Sequence, residues 1–336
     1  MNSTSSDRIY RSDDPDTVKS ALQPLLDFQS RGVAIETLSK LIEECLVPHF
    51  VDYGHPGFHS LYNFFLEAGA DLGARIALQH NQGVTNWQVS PGAVMLEEMC
   101  AKALCRLFKL ADAADATFMY SGTYANQQAI YLALHHKAET RGFDFAREGL
   151  AGFPDPGRLV LVASQAAHFS LKQTLRMMGL GEKSIRTVAT DRKGRMDAQA
   201  LENTLLSLKG SHDVFCVVST AGTSSIGAID PIAPVADLCR DKRIWFHVDA
   251  AYGLVYGLLP ERENFFDGVD RADSITWDPH KQMGVPIPSS LLFLQNGANF
   301  QRMAIFSDYF NRPGESKPNP GLKSPPSTRP LAALPL

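Results

Sequence analysis

The sequence predicts an α/β protein built on a mostly parallel sheet flanked by helices. Three observations carry that reading. Short β-branched runs alternate with helix-like segments through residues 159–294, a strongly amphipathic stretch precedes them, and an N-terminal helical segment comes first.

Taken in order, Asp16 precedes an apolar-periodic run through Leu22 and Leu25, and a second run, Ile35 to Leu46, follows Gly32. Residues 1–60 therefore read as helical. Between Gly92 and Lys109 the rows Met95, Met99, Ala103, Leu107 and Leu96, Cys100, Leu104, Phe108 recur at helical spacing, which predicts one helix whose broad apolar stripe is core. Strands are expected at Leu159–Ala163, Ile185–Val188, Val214–Ser219, Ile244–Val248, Ile275–Trp277 and Leu291–Leu294, with helices at Gln127–Leu134, Leu171–Met178 and Ala198–Leu208. These make a large α/β domain over residues 61–300. Beyond Asn311 the prolines 313, 318, 320, 325, 326, 330 and 335 crowd the sequence, so residues 301–336 cannot pack as a domain by themselves.

Composition narrows the function. The 336 residues, 44% hydrophobic and 20% charged, suit a globular chain of about two domains at roughly 150 residues each. Lys and Arg total 32 against 36 Asp and Glu, without the basic excess of a nucleic-acid binder. No apolar run is long enough to span a bilayer, and the start, MNSTSSDRIYRSDDPD, lacks the apolar core of a signal peptide, so the expected setting is cytoplasmic and soluble. Cys45, Cys100, Cys105, Cys216 and Cys239 are scattered without a C-x-x-C, which predicts reduced thiols and no zinc site. His55 and His59 have the i,i+4 spacing of a metal pair, but Pro56 and Gly57 between them argue against a helix, and no metal is expected.

Four stretches carry candidate chemistry. In Ser274-Ile-Thr-Trp-Asp-Pro-His-Lys281 an apolar strand runs into a lysine, whose amine can form an imine with an aldehyde if desolvation or a neighbouring cation lowers its pKa; the alternative is a solvated lysine after a tight turn. In His247-Val-Asp-Ala-Ala-Tyr-Gly253 a carboxylate closes a buried strand beside small residues, with room for a flat cationic ring, though Asp249 serves equally as a helix N-cap. Met119-Tyr-Ser-Gly-Thr-Tyr-Ala-Asn-Gln leads into a helix whose N-terminus suits an anion such as a phosphate, or is simply capped. His168, in His168-Phe-Ser-Leu-Lys172, brings an imidazole to the same sheet edge, either to stack on a ring or as a structural residue. Ligands of parallel sheets bind at that edge, beyond the carboxyl ends of the strands.

Together these stretches resemble the group II pyridoxal-phosphate-dependent amino acid decarboxylases, the family of glutamate, aromatic amino acid, cysteine sulfinate and diaminobutyrate decarboxylases. The resemblance covers roughly residues 50–336 and rests on His55-Pro56, Asn86-Trp-Gln-Val-Ser-Pro91 with Glu97, Ser121-Gly-Thr-Tyr-Ala-Asn126, His168-x-Ser170, Ala221-Gly-Thr-Ser-Ser-Ile-Gly-Ala-Ile-Asp230, His247-Val-Asp-Ala-Ala-Tyr252 and Asp278-Pro-His-Lys281. It implies the PLP-dependent transferase fold (fold type I), a homodimer, and pyridoxal 5'-phosphate as cofactor. It implies Lys281 as the Schiff-base lysine, Asp249 on the pyridine nitrogen, and His168 and Ala251 on the two faces of the ring. Gly122, Thr123, Thr223 and His280 are implied as further cofactor contacts. In relatives a loop about as far past the lysine carries a tyrosine that protonates Cα after CO₂ leaves, which implies that role for Tyr309.

Two departures from the family pattern stand out. Position 278 is Asp where many relatives have Asn, and a carboxylate near a phosphate repels it unless it points away or is neutralised. Relatives also continue well past the equivalent of Leu336, so the resemblance implies an incomplete C-terminal region. The expected function is decarboxylation of an L-amino acid to the amine and CO₂. The alternatives are a truncated, inactive homologue that binds the cofactor only, and another fold-type I lyase or an aldehyde synthase.

Overall fold

The computed structural model of the protein describes residues 8–26, 32–59, 62–307, 311–312, 314 and 317–336. It comprises two compact units, Met1–Phe65 and Leu66–Leu336. In the first, α1 (Pro15–Leu22) and α2 (Ile35–Cys45) occupy the two N-terminal periodic runs. Asp14 accepts the Asp16 and Thr17 N–H groups at the start of α1, where Pro15 gives up no backbone hydrogen bond. His55 lies in a turn and takes the Gly57 N–H on Nδ1 at 3.0 Å, so the spacing to His59 is not a helical one.

The second unit is built on seven strands: β1 (Asp115–Met119), β2 (Leu159–Ser164), β3 (Ile185–Val188), β4 (Asp213–Thr220), β5 (Trp245–Asp249), β6 (Ser274–Trp277) and β7 (Ser290–Leu294). Their order across the sheet is β1-β7-β6-β5-β4-β2-β3. Strands β2 to β6 run parallel, and β7 runs antiparallel to both neighbours. All six expected strands form. Strand β1 is an addition, because Asp115-Ala-Thr-Phe-Met119 carries little of the β-branched signal that marks the others.

Helices α3 (Ala68–His80), α4 (Pro91–Leu107), α5 (Gly122–Arg141), α6 (Phe145–Glu148), α7 (Ser170–Met177), α8 (Ala198–Leu208), α9 (Ile232–Lys242) and the short α10 (Pro279–Gln282) follow in chain order. One apolar layer joins α5 and α7 to the sheet through Leu161, Cys216, Val218 and Leu292; the opposite layer joins α4, α8 and α9 through Val162, Val217, Val248 and Phe293. The pleat thus sends alternate residues of each strand to opposite layers. Helix α5 begins at Gly122, ahead of the expected Gln127, because Ser121 caps it through the Tyr124 N–H.

The α4 stripe is not all core. Ala93, Val94, Ala101, Leu104 and Cys105 are buried, whereas Met95, Met99 and Leu107 are exposed, Met99 at 62%. Of the two expected rows, Leu104 and Phe108 lie in the core with Leu96 and Cys100 packed against it, whereas Met95, Met99, Ala103 and Leu107 face away from the sheet.

Residues 317–336 lie along the second unit without forming a separate core. Val84 donates its N–H to Arg329 O at 2.9 Å and Gly321 donates to Thr85 O at 2.8 Å. Lys323 Nζ bridges Glu98 and Asp115, and the buried Arg329 pairs with the buried Glu97.

Candidate active site

The carboxyl ends of β4, β5 and β6 open into one cavity of about 260 Å³, closed on one side by the N-terminus of α5 and on another by His168 ahead of α7. Strand pleating selects what enters it. On β5, Trp245, His247 and Asp249 share the α5 face, and on β6 Ser274 and Thr276 do the same, with His247 opposite Ser274 and Asp249 opposite Thr276. The turn after β5 must press against the turn after β4: a Cβ on Gly253 would stand 1.9 Å from Ala221 O, so only glycine fits.

Asp249, 4% exposed, is held from both sides. Its Oδ2 accepts from Asn126 Nδ2 at 2.8 Å, and its Oδ1 accepts the Ala251 N–H at 3.2 Å. Asn126 also donates to Ser170 Oγ at 3.1 Å, and its Oδ1 meets His247 Nε2 at 3.0 Å. Ser170 in turn gives its backbone N–H to His168 Nδ1 at 3.2 Å. The carboxylate and the imidazole ring are therefore fixed by one connected set of hydrogen bonds. Burial holds His168 below the usual imidazole pKa; Asp249 pulls the other way and Lys281 adds to the lowering. A neutral, flat ring results.

Lys281 follows β6 on α10 and reaches the cavity with its side chain 26% exposed. Its Nζ lies 2.9 Å from Asp278 Oδ2. Asp278 is buried, accepts from Ser290 Oγ on Oδ1 at 2.5 Å, and donates its own N–H to Ala251 O at 2.7 Å. Its carboxylate abuts the first turn of α5, where a Cβ on Gly122 would stand 2.6 Å from Oδ2. The carboxylate at position 278 thus stays against the N-terminus of α5 and is paired there with Lys281.

Of the residues expected at the site, Gly122, Thr123, His168, Asp249, Ala251, His280 and Lys281 line the cavity. His280 is anchored through Nδ1 at the Ser289 carbonyl. Thr223 is fully buried, does not line the cavity, and takes the Ala228 N–H on Oγ1 at 3.0 Å; its neighbours Gly222 and Ser224 are the lining residues. Tyr309 falls outside the described residues. Asn126 and Tyr252 also line the cavity. Asn126 is one residue of a helix-leading motif in the sequence, and nothing local marks its side chain as the partner of a carboxylate far along the chain.

An amine and a buried, oriented carboxylate face one cavity, with an imidazole from the β2–α7 connection and a helix N-terminus at its sides. The model of the pyridoxal-dependent decarboxylase conserved domain matches residues 18–316. The chain belongs to this family. It is 31% identical over 299 residues to cysteine sulfinic acid decarboxylase of Mus musculus, covering 88% of this chain and 58% of that protein. It is 33% identical over 282 residues to L-2,4-diaminobutyrate decarboxylase of Rhizobium meliloti (strain 1021), covering 83% and 54%. The crystal structure of mouse CSAD superposes with a TM-score of 0.88 at 28% identity, over 98% of this chain and 67% of that one. The chain thus spans a little over half the length of these two curated relatives.

Proposed function

We propose that this chain carries the cofactor site of an amino acid decarboxylase that uses pyridoxal 5'-phosphate. The observation that carries the reading is the pairing of Lys281 and Asp249 across one cavity, the second held by Asn126 at 2.8 Å. The donor set suits that cofactor: an amine for the aldehyde, a carboxylate for the ring nitrogen, a neutral imidazole for the ring face, and helix N–H groups for the phosphate. When bound, the cofactor supplies an electron sink for the pair of electrons left at Cα as CO₂ departs.

The protein's own contribution follows from the geometry. Lys281 supplies the amine that would hold the cofactor through its aldehyde. Asp249 keeps a proton on the ring nitrogen, and its buried, hydrogen-bonded setting makes that hold strong. His168 and Ala251, which both line the cavity, would flank the cofactor ring. Gly122 and Thr123, at the first turn of α5, and His280 orient the phosphate, with Thr223 supporting the adjoining loop. Tyr309 is proposed to return a proton to the substrate Cα. The substrate is an L-amino acid, and the proposed assembly is a cytoplasmic homodimer, supported by the exposed apolar row on α4 and five free thiols.

The test is borohydride reduction of the protein loaded with pyridoxal phosphate, followed by peptide mapping, beside an assay of CO₂ release from a panel of amino acids. A pyridoxyl group on Lys281 is expected; a label on another lysine sinks the assignment. No CO₂ from any amino acid would remove the proposed reaction.

A further inference from the structure

The residues behind Asp249 form a hydrogen-bonded series that runs across the α5 face of the sheet: Trp245 Nε1 to Ser274 Oγ at 2.9 Å, Ser274 Oγ to His247 Nδ1 at 2.9 Å, His247 Nε2 to Asn126 Oδ1 at 3.0 Å, and Asn126 Nδ2 to Asp249 Oδ2 at 2.8 Å. All five residues are buried. The carboxylate end of the series has fixed polarity, and the indole end is compatible with it. An indole N–H only donates, so Ser274 Oγ accepts from Trp245 and has its own hydrogen for His247 Nδ1. An ionised carboxylate only accepts, so Asn126 turns its NH₂ to Asp249, with Ser170 Oγ taking the other hydrogen, and presents its carbonyl oxygen to His247. The carboxylate end therefore demands a protonated Nε2, the serine hydroxyl can donate to a bare Nδ1, and in the neutral ring with Nε2 protonated Nδ1 is bare.

We infer that His247 is a positioning residue, locked as the neutral Nε2–H tautomer, that fixes the Asn126 amide so that its NH₂ and never its oxygen faces Asp249. The inference rests on the proposed role of Asp249 only for its consequence, not for its geometry. If the ring carried its proton on Nδ1, Nε2 would become an acceptor, the Asn126 amide would turn over, and its oxygen would meet the carboxylate. Asp249 would lose a donor and gain a like partial charge. Complete burial independently favours the uncharged ring and pushes the His247 pKa down to about 4, against smaller raising effects from the Asp249 charge and the Ser274 backbone.

The tautomer is measurable in the full chain without cofactor. Long-range ¹H–¹⁵N spectra of histidine-labelled protein near pH 7, with the His247 signals assigned by their loss in His247→Gln, are expected to show a protonated Nε2 and a bare Nδ1. A protonated Nδ1, or a doubly protonated ring, would overturn the inference. The second measurement compares two variants by their Kd for pyridoxal phosphate. His247→Gln still offers an N–H to Asn126 Oδ1 and is expected to bind within about threefold of the parent, whereas His247→Leu offers none and is expected to bind at least about tenfold more weakly. Equal affinities of the two folded variants would refute the positioning role, and if His247→Leu does not fold the tautomer alone decides. An Nε2–H ring in a protein that is not labelled at Lys281 would remove the cofactor reading and keep the relay; an Nδ1–H ring in a labelled protein would do the reverse.

Discussion

Lys281 Nζ stands 2.9 Å from Asp278 Oδ2, so the amine of this site has a carboxylate as its nearest ionic partner. That carboxylate cannot swing clear: Ser290 holds one oxygen, and the side chain is only 2% exposed. It lies at the end of α5 where the phosphate is proposed to sit. Replacing it by the neutral amide, Asp278→Asn, keeps the shape and removes a negative charge from the phosphate's surroundings. The expected result is a Kd for pyridoxal phosphate lower by about tenfold, or about 1.4 kcal/mol, well within what one charge at a few ångströms supplies in a partly buried site. Fluorescence titration of both proteins checks it; an unchanged or weaker affinity would show that Asp278 does not oppose the phosphate.

The His247 ring also sets an acid limit on stability. Its pKa is about 4 in the folded protein against 6.5 unperturbed. For a base whose folded value is depressed, the stabilisation is complete above pH 6.5 and is lost as pH falls towards 4, because the unfolded chain takes up the proton first. Over that window the ring should cost the fold about 3 kcal/mol. Urea unfolding at pH 7 and pH 4.5 is expected to show a smaller acid loss in His247→Gln than in the parent. Equal losses would mean that the ring is already charged in the fold.

A second buried pair fastens the last described segment. Arg329 and Glu97 are each 3% exposed; Arg329 also donates to Thr117 Oγ1, Ser324 Oγ and Pro320 O, while Glu97 Oε2 has no hydrogen-bond partner among the described residues. Burial raises the Glu97 pKa in spite of Arg329. Arg329→Met should therefore leave an uncompensated carboxylate and cost about 3–5 kcal/mol, and adding Glu97→Gln should recover a good part of it. Denaturant unfolding of the single and double variants gives both figures. A single variant within about 1 kcal/mol of the parent would rule out a structural pair here.

The exposed row Met95, Met99 and Leu107 on α4 gives the proposed homodimer a surface. Light scattering is expected to report twice the 36.9 kDa chain mass, and Met99→Glu to shift the protein towards the monomer. A parent protein that stays monomeric at micromolar concentration would refute the dimer, and a Met99→Glu protein still dimeric would move the interface elsewhere.

The sequence by itself determined the alternation of strands and helices, because that signal is local: β-branched runs such as Val214–Ser219 and helical spacing such as Ala198–Leu208 are each decided within a few residues. It also determined that Asp249 closes a strand and Lys281 follows one, and parallel strands deliver such residues to one edge. Three things needed the tertiary structure. Which row of α4 is core depended on which side of the helix faces the sheet, a choice that two adjacent apolar rows leave open. Whether Asp278 opposes or avoids the helix end depended on Ser290 and Lys281 fixing its carboxylate. The partner of Asp249 is Asn126, more than a hundred positions away, and the side chain that orients Asn126 is His247, two residues before Asp249 on the same strand face. A hydrogen bond between residues so far apart leaves no periodicity in the sequence, because it exists only once α5 has been laid across the sheet.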